Sequence, residues 1–136
     1  MSNPEVIKTE NAPKAIGPYS QAINIFGLTF TSGQIPLDPL TGELISDNFQ
    51  DQVTQTLENI KGILDERKCG LKNIVKLTVY LTDLSKFNDL NMVFEDFWNK
   101  WFDGDELFYP SRSAIEVSKL PKDSQIEIEA IFKDVK

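Results

Sequence analysis

Histidine is absent from this 136-residue chain, and cysteine occurs once, at Cys69. These absences exclude an imidazole-based catalytic triad and an internal disulfide, and they leave no ordinary ligand set for a structural zinc ion. Basic residues are also in the minority, because fourteen lysines and arginines face twenty-one acidic residues and give a net charge of −7. Such a surface repels polyanions, so nucleic acid is a poor candidate partner. Any chemistry must use carboxylates, hydroxyls, arginine, lysine, the backbone or water.

Long apolar runs are missing as well, since no window approaches the roughly 18 apolar residues of a membrane span. The first residues, "MSNPEVIKTENAP", carry Glu5 and Glu10 and have neither an apolar core nor an arginine-rich pattern, so they do not read as a signal or transit peptide. We therefore expect a cytoplasmic location and no membrane association. With 40% hydrophobic residues and no repeat or linker, residues 1–136 are expected to form a single domain.

Hydrophobic spacing predicts the element order β β β α β α β β. The first helix is expected to start at a capping pair, Asp47 and Gln50, and to stop at Gly70, while Ser85 is expected to start the second. An aromatic stripe on the second helix is most simply interpreted as core. The predicted strands are residues 6–8, 22–26, 28–32, 74–81, 112–117 and 125–132, with a hairpin turn near Gly27.

Two helices can cover only one face of a sheet of this size, yet the strand at residues 74–81 carries apolar residues on both sides. The chain has no further element that could bury the second face. The sequence therefore predicts a homo-oligomer in which sheets pack on one another.

Two alternating runs near the end of the chain, "RSAIEV" and "QIEIEAIF", hold the most informative polar residues. Because side chains alternate between faces, Arg112 and Glu116 share one side of the first run, and Glu127 and Glu129 share one side of the second. The two runs are joined by a short loop and are expected to pair antiparallel, so matching their apolar faces places Arg112 on the same face as Glu127 and Glu129. A structural ion pair is one interpretation. If oligomer contacts bury this face, the guanidinium instead suits a small carboxylate ligand.

The segments "GPYSQA", "TSGQIPLDPLTGEL", "NIVKLTVYLTDL" and "YPSRSAIEVSKLPKDSQIEIEAI" resemble the conserved blocks of the RidA family, also called the YjgF family. The resemblance covers nearly the whole chain. It implies an α+β, chorismate-mutase-like fold: a mixed five- or six-stranded sheet with two helices packed on one face. It also implies a homotrimer whose sheets form a central barrel, with a cleft at each subunit interface.

The resemblance further implies a catalytic pair, in which Arg112 grips the substrate carboxylate and Glu127 positions or activates water. Many family members have a cysteine two residues after the arginine, whereas this chain has Ala114. That residue acts largely through its backbone carbonyl in the family picture, so the alanine argues against a thiol nucleophile and thiol-based redox control but is compatible with imine hydrolysis. The substrate-binding residues implied by the matching blocks are Tyr19, Ser32, Gly33, Asn91, Arg112 and Ala114.

The activity implied is hydrolytic deamination of reactive enamines and imines, of the 2-aminoacrylate and 2-iminopropionate type, to 2-keto acids and ammonia. No metal or cofactor is expected. Two alternatives stay open. One is a carboxylate-binding or chaperone-like trimer without catalysis, and the other is an endoribonuclease or translation inhibitor, which the absence of histidine and the negative charge disfavour.

Overall fold

The computed structural model describes residues 3–134 and has the predicted order of elements. Short 3₁₀ turns at Leu71–Asn73, Leu84–Lys86 and Pro121–Asp123 connect some of them. The strands and helices are β1 (Glu5–Ile7), β2 (Ala22–Ile25), β3 (Leu28–Thr31), α1 (Phe49–Glu66), β4 (Ile74–Leu81), α2 (Phe87–Trp101), β5 (Ser111–Glu116) and β6 (Ile126–Lys133).

All six strands form one mixed sheet in the order β1-β2-β3-β6-β4-β5. Only β4 and β5 are parallel, because α2 connects them as a crossover that returns the chain in the same direction. The predicted pairing of β5 with β6 is wrong. The loop at residues 117–125 carries the chain past the end of β4, so β6 pairs with the opposite edge of β4 and with β3.

This insertion of β4 changes the faces on which the two key residues lie. Arg112 is aligned with Leu77 on β4, and Leu77 is aligned with Ala130 on β6. Glu127 on β6 is aligned with Tyr80 on β4, and Tyr80 and Leu77 point to opposite faces of the sheet. The prediction that Arg112 and Glu127 share a sheet face is therefore wrong within one chain, since residues of opposite parity on β4 point to opposite faces.

Both helices pack on one face of the sheet, which we call the helix face. Its strands contribute a continuous apolar layer against α1 and α2. The aromatic stripe of α2 is largely core, as expected, with Phe94, Phe97 and Trp98 buried. The fully buried strand residues of this layer are Leu77, Val79, Leu81, Ile126, Ile128 and Phe132.

The helix ends differ from the sequence prediction by a few residues. Asn48, and not Asp47, caps α1 by accepting a hydrogen bond from the backbone N–H of Asp51. The helix ends before Gly70, because Lys68 takes the left-handed conformation that terminates it. Ser85 does not start α2: Asp83 caps the preceding 3₁₀ turn by accepting from the N–H of Ser85, and α2 begins after Lys86, which makes no side-chain capping hydrogen bond.

The other face of the sheet, which we call the open face, has no covering element among residues 3–134. Phe26 and Gly27 form the predicted hairpin turn, both with positive φ, and bring β2 and β3 together at one end of this face. Apolar side chains remain exposed across it, including Val6, Phe30 and Ile115. Large apolar side chains exposed on an uncovered sheet face favour an interaction surface.

Candidate functional site

The guanidinium of Arg112 lies in a cavity of about 570 Å³ between β5 and α2. We call this the arginine cavity. Strand β5 points Arg112 toward the helix face, and α2 supplies the facing wall. The residues that line the cavity are Leu77, Asn91, Phe94, Glu95, Tyr109, Pro110 and Arg112.

Three residues of α2 hold the guanidinium. One terminal nitrogen, Nη2, donates a hydrogen bond of 2.7 Å to Oδ1 of Asn91. The guanidinium carbon lies 4.9 Å from the ring centre of Phe94 and 5.4 Å from that of Phe87. An aromatic ring attracts a cation at such distances and restricts its orientation. These contacts leave the remaining N–H donors of Arg112 for a ligand.

Arg112 has no acidic partner within the described part of the chain. The ion pairs found there join Lys61 to Asp65 and Arg67 to Glu5 and Asp134. Burial lowers the pKa of Arg112 from its ordinary value, and no neighbouring carboxylate offsets this effect. A half-buried guanidinium without a counter-ion is costly, so the arginine cavity is suited to an anion, above all a planar carboxylate.

Glu127 lies in a second cavity, of about 390 Å³, on the opposite side of the sheet. We call this the glutamate cavity. Its polar wall holds Tyr19, Ser32, Gly33 and Glu127, and its apolar wall holds Pro13, Ile16, Ile35, Leu37 and Pro121; Lys14, Gln21 and Gln34 complete the lining.

The carboxylate of Glu127 is half-buried and has no side-chain hydrogen bond or ion pair to any residue in 3–134. Burial raises its pKa above the ordinary glutamate value, and the charge of Glu129 raises it further. A carboxylate with a raised pKa is a better proton acceptor near neutral pH than an exposed one. Glu127 therefore has the environment of a general base.

The turn at residues 32–34 is fixed directly beside this carboxylate. Gln34 and Ile128 exchange backbone hydrogen bonds of 2.8 and 3.0 Å, which tie the turn to β6. A Cβ at Gly33 would collide with the carboxylate of Glu127. Glycine is needed here because the Glu127 carboxylate approaches its backbone closely. Backbone conformation is not the reason, since Gly33 does not have a positive φ.

The rest of the polar wall is held by local hydrogen bonds. The hydroxyl of Ser32 donates to the carbonyl of Ser20 at 2.6 Å, and the phenol oxygen of Tyr19 accepts from the N–H of Ile16 at 3.1 Å. The side chain of Gln21 bonds the carbonyls of Ala12 and Pro13 and so holds the loop that carries Tyr19. The tyrosine is 47% exposed, so its ring is accessible to a ligand.

The structure thus divides the predicted site residues into two groups. Tyr19, Ser32, Gly33 and Glu127 share the glutamate cavity, while Asn91 lies with Arg112 in the arginine cavity. Ala114 lies two residues beyond the arginine on the same face of β5, half-buried against the core.

Sequence reasoning missed the two aromatic rings that contact the guanidinium, those of Phe87 and Phe94, which we call the aromatic platform. Phe87 and Phe94 occur at a spacing that is equally typical of core residues, so no sequence signal distinguishes the two roles. It also missed Tyr80, whose hydroxyl donates a 2.6 Å hydrogen bond to Glu129 on the open face. Within residues 3–134, no three histidine, cysteine, aspartate or glutamate side chains cluster in a way that could hold a metal ion. Neither described helix is long and apolar enough to cross a bilayer.

Comparison with known proteins supplies the family. The sequence profile of the family described as Endoribonuclease L-PSP matches residues 9–133. The chain is 50% identical to a RutC family protein of Pyrococcus horikoshii, over 93% of this chain and 95% of that protein. It is 44% identical to the 2-iminobutanoate/2-iminopropanoate deaminase of Salmonella typhimurium, with the same coverage of both chains.

Two solved structures from E. coli match equally well. The crystal structure of TdcF with bound serine has a TM-score of 0.87 at 41% identity and covers 96% of this chain and 99% of that one. The crystal structure of the YjgF gene product gives the same values. Because a family profile spans nearly the whole sequence and the relatives agree over their full length, the chain belongs to the RidA (YjgF) family, as its sequence blocks indicate.

Proposed function

We propose that this protein hydrolyses small 2-imino acids, and the enamines from which they form, to 2-keto acids and ammonia. This is the activity of a 2-iminobutanoate/2-iminopropanoate deaminase. The observation that carries the proposal is the half-buried Arg112 guanidinium, which lies in an open cavity and has no carboxylate partner among the described residues. A 2-imino acid offers the planar carboxylate that such a group binds in two-pronged geometry.

The reaction needs only positioning and proton transfer. Arg112 holds the carboxylate and so fixes the adjacent imine carbon. Glu127 takes a proton from water as its oxygen attacks that carbon and passes the proton to the imine nitrogen, which gives a neutral tetrahedral carbinolamine. Glu127 then takes the proton of the carbinolamine hydroxyl and passes it to the amino nitrogen; the C–N bond breaks, ammonia leaves and the carbonyl of the keto acid forms. Positioned general base catalysis of this kind typically contributes about 10² to 10⁴-fold.

The shape of the glutamate cavity favours small aliphatic substrates. Ile16, Ile35 and Leu37 are among its apolar lining residues, so a methyl or ethyl side chain on the imine would be accommodated there. The names of two relatives agree with this substrate class, since one is an iminobutanoate and iminopropanoate deaminase and the other was crystallised with serine.

We also propose that the active site forms between chains of a homotrimer. Arg112 and Glu127 lie in separate cavities on opposite faces of the sheet, so one chain cannot place both against a small substrate. The open face carries exposed apolar residues that a second copy would bury. A closed ring in which the arginine cavity of one chain meets the glutamate cavity of the next would use both features.

A complementation experiment tests this arrangement. Arg112→Ala and Glu127→Ala are each expected to be inactive, but chains mixed under conditions that exchange subunits are expected to regain activity. In a cyclic trimer with random mixing, roughly one quarter of the sites combine an intact arginine with an intact glutamate. Recovery near that fraction supports a site between chains, whereas no recovery despite proven exchange contradicts it.

The activity itself is tested by ammonia release from 2-iminopropionate generated in the assay from an amino acid. The purified protein should accelerate hydrolysis above the rate in buffer alone. A protein that binds pyruvate but releases no ammonia faster than buffer would be a carboxylate-binding trimer without catalysis, which is the first alternative.

The description of the family profile favours one second candidate, an endoribonuclease. The absence of histidine and the net charge of −7 give it little chemical support. RNA cleavage that co-purifies with the protein and disappears in Arg112→Ala would favour it. Cleavage that is lost on further purification of the unaltered protein would not.

A further inference from the structure

Glu127 has two polar neighbours on the open face of the sheet. Glu129 follows it two residues later on β6, so both carboxylates point to the same side about 7 Å apart along the strand. Tyr80 on β4 is the residue directly opposite Glu127. Its hydroxyl reaches diagonally across and donates a 2.6 Å hydrogen bond to Oε1 of Glu129.

This hydrogen bond fixes the position of the Glu129 carboxylate. A hydroxyl that donates to a carboxylate at so short a distance forms a charge-assisted bond, which is stronger than a neutral one. The same bond raises the pKa of Tyr80 above its usual value, with desolvation and the charges of Glu129 and Glu127 adding to the effect. The phenol therefore stays a donor throughout the neutral range, and Glu129 keeps its donor.

We propose that Tyr80 and Glu129 are positioning residues for Glu127: the tyrosine holds the Glu129 carboxylate in place, and the charge of Glu129 makes the neighbouring carboxylate a stronger base. The effect on catalysis rests on the proposed function, in which Glu127 activates water. The effect on the ionisation of Glu127 does not rest on the proposed function.

The other groups around Glu127 leave Glu129 as the main charge acting on it. The loop that forms the wall of the glutamate cavity contributes Tyr19 and Lys14, and β4 contributes Tyr80. Burial is the first cause of the raised pKa of Glu127, and the Glu129 charge is the second. Removal of that charge should therefore lower the pKa of Glu127 without restoring it to an exposed value.

The test is a titration of the Glu127 side-chain carboxyl by carbon NMR in the full-length protein. In Glu129→Gln the midpoint should fall, since a like charge has been removed. Glu58→Gln is the matched control, because Glu58 is exposed on α1 and the substitution makes the same change in net charge. A midpoint that moves equally in both variants, or in neither, overturns the proposal.

Tyr80→Phe tests the contribution of the hydroxyl. Without this donor the Glu129 carboxylate is no longer held in place beside Glu127, so the midpoint of Glu127 should fall, but by less than in Glu129→Gln. An unchanged curve overturns the part assigned to the tyrosine.

Kinetics separates this inference from the proposed function. If Glu127 is the base, the acid limb of kcat/KM against pH should move to lower pH in Glu129→Gln by the same amount as the NMR midpoint. A shifted NMR midpoint with no deaminase turnover in the unaltered protein refutes the proposed function and leaves the inference intact. Normal turnover with an unshifted midpoint supports the proposed function and refutes the inference.

Discussion

Replacement of Arg112 by lysine keeps the positive charge of the side chain but removes the two-pronged geometry of carboxylate binding. The sequence contains one other arginine, Arg67, which pairs with Glu5 at 3.0 Å and with Asp134 at 2.6 Å. The chain thus offers its own control: the same substitution can be made at an arginine that already has its carboxylates and at one that has none.

The size of the effect follows from the contacts of the guanidinium. Its flat surface lies against Phe94, and Asn91 accepts from Nη2, so the fork is held in one orientation before a ligand arrives. Lysine keeps the charge but replaces a two-pronged contact by a single one. Loss of one charge-assisted hydrogen bond costs about 2 kcal/mol, which is about 30-fold in the dissociation constant.

The measurement is pyruvate binding by calorimetry together with kcat/KM for freshly generated 2-iminopropionate. We expect both to weaken by roughly ten- to a hundredfold in Arg112→Lys, while Arg67→Lys leaves both near the unaltered values. Pyruvate binding that is unchanged in Arg112→Lys would refute the assignment of the carboxylate site. An equal loss in both variants would point to a general effect on folding.

Two further predictions concern space and stability. Gly33→Ala should leave the fold intact but displace the Glu127 carboxylate, so kcat/KM should fall by about tenfold or more while the melting temperature stays the same. In the double variant with Glu127→Gln, the two losses in kcat/KM should not add. Full additivity of the two losses would contradict the assigned contact. Arg67→Met should remove the guanidinium that pairs with the buried Asp134 carboxylate. We expect it to lower the free energy of unfolding by about 3 kcal/mol, or roughly 10 °C in melting temperature at fixed protein concentration. Arg112→Met, which removes a charge with no acidic partner in residues 3–134, should cost little, and a larger loss in Arg112→Met would show that this arginine is structural.

Local sequence patterns predicted the elements of the fold because each element depends on near neighbours. The helical repeat of α1 and the alternation of β6 are properties of residues a few positions apart, and both were confirmed. Strand adjacency depends on the path of the whole chain. The short loop between β5 and β6 suggested a hairpin, but the crossover through α2 had already placed β5 against β4. No local signal in the loop distinguishes these outcomes.

The site was predictable only in its parts. Motif resemblance led to Arg112, Glu127 and the turn at Gly33, and the structure places each of them at a cavity. Their relation across the sheet could not be predicted, because it depends on whether β4 separates the two strands. The aromatic platform could not be predicted either, since Phe94 serves the core and the guanidinium with the same side chain.

The separation of the two charged residues has a physical consequence for catalysis. Had Arg112 and Glu127 shared a face of one chain, they would have formed an ion pair, and a substrate carboxylate would have had to displace Glu127 before binding. On opposite faces each charge stays without a protein partner in the described chain, and the sheet between them prevents collapse of the pair. In the homotrimer proposed above, a neighbouring copy would bring its Glu127 carboxylate to the cavity of Arg112, and the substrate would lie between the two groups. Within one chain the fold therefore keeps the guanidinium and the carboxylate from neutralising each other, as the proposed reaction requires.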